Sequence, residues 1–238
     1  DEQLKAAQAL ATINDSSVCQ ELMTALGKLG TDSLQDQLTG PQIVTLLVRN
    51  PAHLAEQEKT LFAGIQSHQA WCERAGFAGL FALGQVDSAL AASTTPQQTL
   101  SWLSALSLLS DQTLTNQLRP RVLNLLEARE QDIQKAAIGC LGTMTNNQRE
   151  SCELLSRLIQ EVSIREEVVR ALLNLGATNC PPETSVRMVD YLVKLAEQTP
   201  AEARTANSFT NAMQLADELL ANLPLDSAKA YRRRLGET

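Results

Sequence analysis

Apolar residues recur at helical spacing along this chain, and in its middle the pattern itself repeats. Trp71, Trp102, Ile133 and Ile164 stand 31 residues apart each time, and the positions that follow them keep the register without a gap. Four residues on come Ala75, Leu106, Ala137 and Val168; seven on, Ala78, Leu109, Cys140 and Ala171; eight on, Gly79, Ser110, Leu141 and Leu172. Spacing of i, i+4, i+7, i+8 puts all four positions on one face of an α-helix, so each stretch predicts a helix with that face in a core.

A unit of this length holds two helices of about ten to fifteen residues with short turns. The other helix of each unit is predicted from stripes lying between the first set, each preceding a helix of that set: Leu118, Val122, Leu125 and Leu126; Leu155, Leu158, Ile159 and Val162; Val189, Leu192, Val193 and Ala196. Asp111 and Ser163 are expected as N-caps, and Gly142 and Gly176 fall near helix ends. Pro120 follows Arg119 where a first helix is kinked or begun. Such short, separately punctuated helices exclude one long coiled coil. Further helices are predicted at roughly 2–13, 17–29, 41–49 and 55–66, in poorer register. The polar segment from Glu197 to Arg204 lengthens the last turn, as a binding loop or a tolerated insertion, before Phe209, Ala212, Met213, Ala216, Leu219, Leu220 and Leu223 resume the pattern.

Both tryptophans occupy the register position of Ile133 and Ile164, so they are expected in the core rather than as ligand-stacking platforms. Phe77, Leu80 and Phe81 make the helix of Trp71 apolar nearly all round, as a central helix would be.

Ile133-Gln134-Lys135-Ala136-Ala137-Ile138-Gly139-Cys140-Leu141-Gly142 and Ile164-Arg165-Glu166-Glu167-Val168-Val169-Arg170-Ala171-Leu172-Leu173 resemble second helices of HEAT repeats, and the helix containing Pro120 is similar to that family's kinked first helix. The resemblance implies an all-α fold, an α-α right-handed superhelix of the HEAT/armadillo-like solenoid type built from stacked helical hairpins. It implies a single repeat domain over 1–238, with the clear register at 71–175, divergent hairpins at 1–68 and a capping hairpin at 183–235. HEAT motifs identify architecture better than function. A narrower resemblance lies in Leu215-Ala216-Asp217-Glu218-Leu219-Leu220-Ala221-Asn222-Leu223-Pro224 and Ala228-Lys229-Ala230-Tyr231-Arg232-Arg233-Arg234-Leu235-Gly236. These stretches are similar to the end of the HEAT-like segment in large multidomain haem-binding proteins of planctomycete-type bacteria. That likeness implies an exported parent protein, with cupredoxin-like and c-type cytochrome modules following, and places haem and copper in those flanking modules rather than in this segment.

Composition narrows the picture. The chain is 44% hydrophobic but only 3% aromatic, rich in Leu and Ala, which favours many similar helices over a β-sandwich. A net charge of −7 removes the overall positive potential on which most nucleic-acid binders rely. No apolar run approaches the roughly 18 residues of a membrane span. The start, Asp1-Glu2-Gln3-Leu4-Lys5, is unlike a signal peptide, and both ends read as cut from something longer. The five cysteines, Cys19, Cys72, Cys140, Cys152 and Cys180, form no CxxC or CxxCH, which argues against a structural zinc site or a covalently attached haem in this segment. Cys140 is expected as a small buried hydrophobe.

Candidate chemistry is sparse. His53 and His68, the two histidines, have no metal or triad partner at recognisable spacing and are expected as exposed loop residues. Glu127, Glu130, Asp132, Glu166 and Glu167 are expected at helix ends or on solvent faces, where acids in a first turn offset the helix dipole. No catalytic, cofactor or metal residue is assigned. Arg232, Arg233 and Arg234 form the compact basic run, either a solvated last turn or a contact with an acidic partner or neighbouring module. The reading that follows is a non-enzymatic interaction or spacer scaffold, binding a protein partner or modules of its own chain and neither nucleic acid nor membrane. An exported, periplasmic setting follows from the C-terminal resemblance. Two alternatives stay open: a nucleic-acid-acting enzyme like the HEAT-like DNA glycosylases, and a cytosolic adaptor or chaperone, which five unpaired cysteines would suit better.

Overall fold

The computed structural model describes residues 2–109 and 111–236, and every regular element among them is a helix. Contacts group the chain into one unit up to Arg121 and another from Val122 on, the boundary falling inside α9.

The first unit runs α1 (Glu2–Leu10), α2 (Ser17–Leu26), α3 (Leu34–Arg49), α4 (Pro51–Leu54), α5 (Glu58–Ile65), α6 (Ala70–Ala82), α7 (Val86–Ala91), α8 (Pro96–Leu106) and the start of α9 (Gln112–Asn124). Helix α6 is its centre, packed on α3, α5 and α8, with Trp71, Ala75, Phe77, Ala78, Leu80 and Phe81 all buried. Two glycines let α5 approach. A Cβ on Gly76 would stand 2.5 Å from the Leu61 carbonyl oxygen, and one on Gly79 would stand 2.6 Å from the Leu61 side chain. Helix α8 starts at a capping box: Thr95 Oγ1 accepts from the Gln98 backbone N–H, and the Gln98 side chain accepts from the Thr95 N–H.

The second unit contains α10 (Gln131–Thr143), α11 (Gln148–Leu158), α12 (Arg165–Leu175), α13 (Pro182–Gln198), α14 (Asn207–Leu220) and α15 (Leu225–Gly236). Helix α10 packs on α12, α12 on α11 and α14, and α13 on α14 and α15. At Gly142 an added Cβ would come within 2.7 Å of Ala171 Cα, so this glycine sets the approach of α10 to α12. Gly176 ends α12 with φ at 79°, a left-handed position that glycine adopts without strain.

The anchors Trp71, Trp102, Ile133 and Ile164 are all buried, as are Ala75, Leu106, Ala137, Val168, Leu141 and Leu172. Their helix positions differ, however. Trp71 and Ile133 open their helices, Ile164 precedes α12, and Trp102 lies deep in α8 because the Thr95 cap and Pro96 start that helix early. Leu109 therefore falls beyond the end of α8; Ser110 lies outside the described residues.

Three local expectations are corrected. Val162 is 78% exposed, since α11 ends at Leu158 and the apolar spacing continues past the end of the helix. Ser163 is not a cap: Ile164 is the N-cap of α12, and the Ser163 carbonyl accepts from Gln131 Nε2 at 2.9 Å. Helix α3 starts at Leu34, well before residue 41, because Ser33 caps it and the chain continues helically through Pro41. Asp111 does cap α9, its Oδ1 accepting from the Thr113 N–H at 2.8 Å, and α9 runs on through Pro120.

Candidate functional site

The first turn of α6 presents Trp71, Glu73 and Arg74 in three directions. Trp71 is locked: its Nε1 donates to the Gly30 carbonyl at 3.1 Å, and its ring lies on Gly40, where a Cβ would meet ring carbons at 2.4 Å. Glu73 points into the core, where Oε2 accepts from the Ser101 hydroxyl of α8 at 2.6 Å. Arg74 lies three residues beyond Trp71, so its guanidinium reaches back over the indole, with Cζ 4.3 Å from the ring centroid.

That guanidinium has no hydrogen bond or ion pair with any described residue, and its Nε is buried without a partner. Half-burial holds its pKa below the ordinary value by removing water from the charged form, while the Glu73 charge acts in the opposite direction. Beside it opens a cavity of about 330 Å³ lined by Thr31, Gln37, Trp71 and Arg74. Gln37 is held there by its own amide, Nε2 donating to the Thr31 carbonyl at 2.6 Å.

His53 is not the exposed loop residue expected from its Pro51-Ala52-His53 setting. It is buried, and its Nε2 lies 2.9 Å from the Ile13 carbonyl. A carbonyl only accepts, so Nε2 carries a proton, and Nδ1 has no partner among the described residues. His68 is exposed, as expected, at a left-handed turn with φ of 57°.

The cysteines are not five unpaired thiols. Cys152 of α11 and Cys180, just ahead of α13, form a disulfide across 28 positions, while Cys19, Cys72 and Cys140 stay outside it. Burial pushes the Cys19 thiol up to about 11 and raises that of Cys72. Cys140 is partly exposed as a residue rather than wholly buried, yet its sulfur lies deep enough for burial to push the thiol up to about 12.

The basic run on α15 divides. Arg234 holds Glu197 at 2.9 Å and Asp190 at 3.6 Å, tying α15 to α13, while Arg232 and Arg233 are exposed. Glu127, Glu130, Asp132 and Glu166 are exposed and Glu167 is partly buried; Glu166 and Glu167 both pair with Arg170 one turn on. Among the described residues no group of three or more His, Cys, Asp or Glu is placed to hold a metal ion, and no helix is long and apolar enough to cross a membrane.

Arg74 was not singled out from the sequence, although a Trp-x-x-Arg spacing on a helix is the signal that would have found it. Neither the protein-family models, the curated proteins nor the solved structures give a significant match to this chain.

Proposed function

We propose that this chain is a non-catalytic scaffold of stacked HEAT-like hairpins, a right-handed superhelical array that holds protein partners or neighbouring modules in an oxidising, exported setting. The observation that carries the reading is the packing of register-equivalent helices within each unit: α6 lies on α8, and α10 lies on α12. Repeat arrays bury their faces in this way, each unit against the next. The polar groups that enter the interior also serve to hold helices together. Ser101 binds Glu73 between α8 and α6, and Gln98 both caps α8 and donates to the Ile65 carbonyl at 3.3 Å.

The Cys152–Cys180 disulfide supports the exported setting over the cytosolic one, because such bonds persist where the thiol pool is oxidising. In the multidomain haem-binding proteins that the C-terminus resembles, redox centres belong to other modules. Here Cys152 and Cys180 are committed to each other and no cysteine pair has the spacing of a haem attachment site.

Small-angle scattering tests the array. A compact domain of this length has a radius of gyration of about 18 Å, and a superhelical array exceeds it. A value at the compact limit would sink the architecture. Turnover of a hydrolytic, transferase or redox substrate by the purified chain, abolished by a single surface substitution, would sink the scaffold reading instead.

A further inference from the structure

We infer that the Trp71–Arg74 corner of the first unit is a binding site for a single carboxylate, held by the unpaired guanidinium of Arg74 with the Gln37 amide beside it. A guanidinium stays charged at any physiological pH and has five N–H donors to satisfy. Taking it partly out of water without an acceptor is costly, and stacking on Trp71 replaces only part of the lost solvation. The nearest carboxylate in sequence, Glu73, is turned away and occupied by Ser101. No described residue supplies another. The Nη donors, which are not among the buried atoms, are open to an acceptor from outside.

The surroundings are built for orientation rather than adaptability. The indole beneath Arg74 is pinned at its nitrogen by Gly30 and across its face by Gly40, so the guanidinium plane rests on a fixed support. Gln37 Nε2 spends one hydrogen on the Thr31 carbonyl and keeps a second to donate. The adjoining cavity, about 330 Å³, has room for a carboxylate and the chain that bears it.

Charge chooses among anions. The loop that supplies Thr31 also carries Asp32, the first turn of α3 that supplies Gln37 also carries Asp36, and the whole chain is at −7. One guanidinium neutralises a carboxylate but leaves a dianionic phosphate with an uncompensated charge among these acids, and the plane of the carboxylate matches the guanidinium fork. A carboxylate contact serves a scaffold and an enzyme alike, so failure of the test below leaves the scaffold proposal standing.

The test is a titration of the full chain with acetyl-Gly-Glu-Gly-amide, its Gln analogue, acetate and inorganic phosphate. It is followed by calorimetry and by the two indole N–H signals in proton–nitrogen NMR spectra. Carboxylate binding moves the Trp71 signal saturably and leaves that of Trp102, buried in α8, in place. The Gln peptide has no effect, and phosphate binds at least tenfold more weakly. A peptide tighter than acetate marks the source as a protein side chain; equal affinity marks it as a small free acid. Arg74→Gln abolishes the response and Arg74→Lys weakens it about tenfold, since an ammonium loses the planar fork. Equal response to the Glu and Gln peptides, preference for phosphate, an unchanged Arg74→Gln titration, or no saturable shift in the folded wild type would each overturn the assignment. The peptide comparison on the wild type stands even if a variant does not fold.

Discussion

Glu73 and Ser101 show how a buried polar side chain on one helix depends on another helix for its partner. Removing the hydroxyl in Ser101→Ala leaves the Glu73 carboxylate buried without its donor, a loss of about 1–3 kcal/mol, read as a lower urea midpoint with unchanged slope. The thiols outside the disulfide behave differently. Buried Cys19 titrates near 11 in the fold against 9.0 in an exposed chain, so the unfolded state loses its proton first as pH rises. The associated stability is intact below pH 9.0 and drains away up to about 11, with Cys140 extending the decline to about 12. Urea midpoints at pH 7 and pH 10.5 check the sign: stability is lower at the alkaline value, and Cys19→Ser weakens the dependence. Residue-scale features of this kind were the least legible in the sequence. His53 is held inside by a carbonyl forty positions away, that of Ile13, which accepts from its ring, and Arg74 stands out because no described residue pairs with it. Both facts depend on contacts that only the folded chain creates.

Whole helices were far more legible. Apolar periodicity located α6, α10, α12, α13 and α14, since a buried stripe must recur with the helical turn. It failed at boundaries, where caps decide. Val162 continues the apolar spacing of α11 but lies beyond its end, and α3 begins at the Ser33 cap although its first leucines, Leu34 and Leu38, face solvent and join no stripe. Close contact between elements rests on missing side chains. Gly142→Ala forces a methyl against the backbone of Ala171, where neither helix has a flexible atom to yield. That substitution costs about 1–3 kcal/mol despite the higher helix propensity of alanine, measurable as a fall in thermal midpoint. Gly84→Ala has open space around its Cβ, and its cost reflects only the positive φ of 74°.

Across the molecule the largest departure from expectation is covalent. Periodicity could not pair Cys152 with Cys180, because one lies on α11, the other follows a short 3-10 turn, and no local motif joins them. Five cysteines with one bridge predict three reactive thiols after unfolding without reductant and five after reduction, a count that mass spectrometry of alkylated protein supplies. Opening the bridge releases a 28-position closure and costs about 3.6 kcal/mol in chain-entropy terms. Hydrogen exchange in α11 and the first turns of α13 then accelerates on reduction. Equal exchange with and without reductant would show that the bridge is not a stabilising element.

The seat of Trp71 has a consequence for how such a chain can change. Gly40, on α3, stands 31 positions ahead of Trp71, so the smallest residue at one register position receives the largest at the next. The register is periodic in pattern but not in bulk. Register-equivalent helices are therefore not interchangeable parts: a second α6 in the place of α3 would set indole against indole where a bare backbone is required. Copying α6 onto the α3 position is closed to this chain unless the recipient face is first hollowed out, which gives the order of its helices a direction that the hydrophobic register alone does not have.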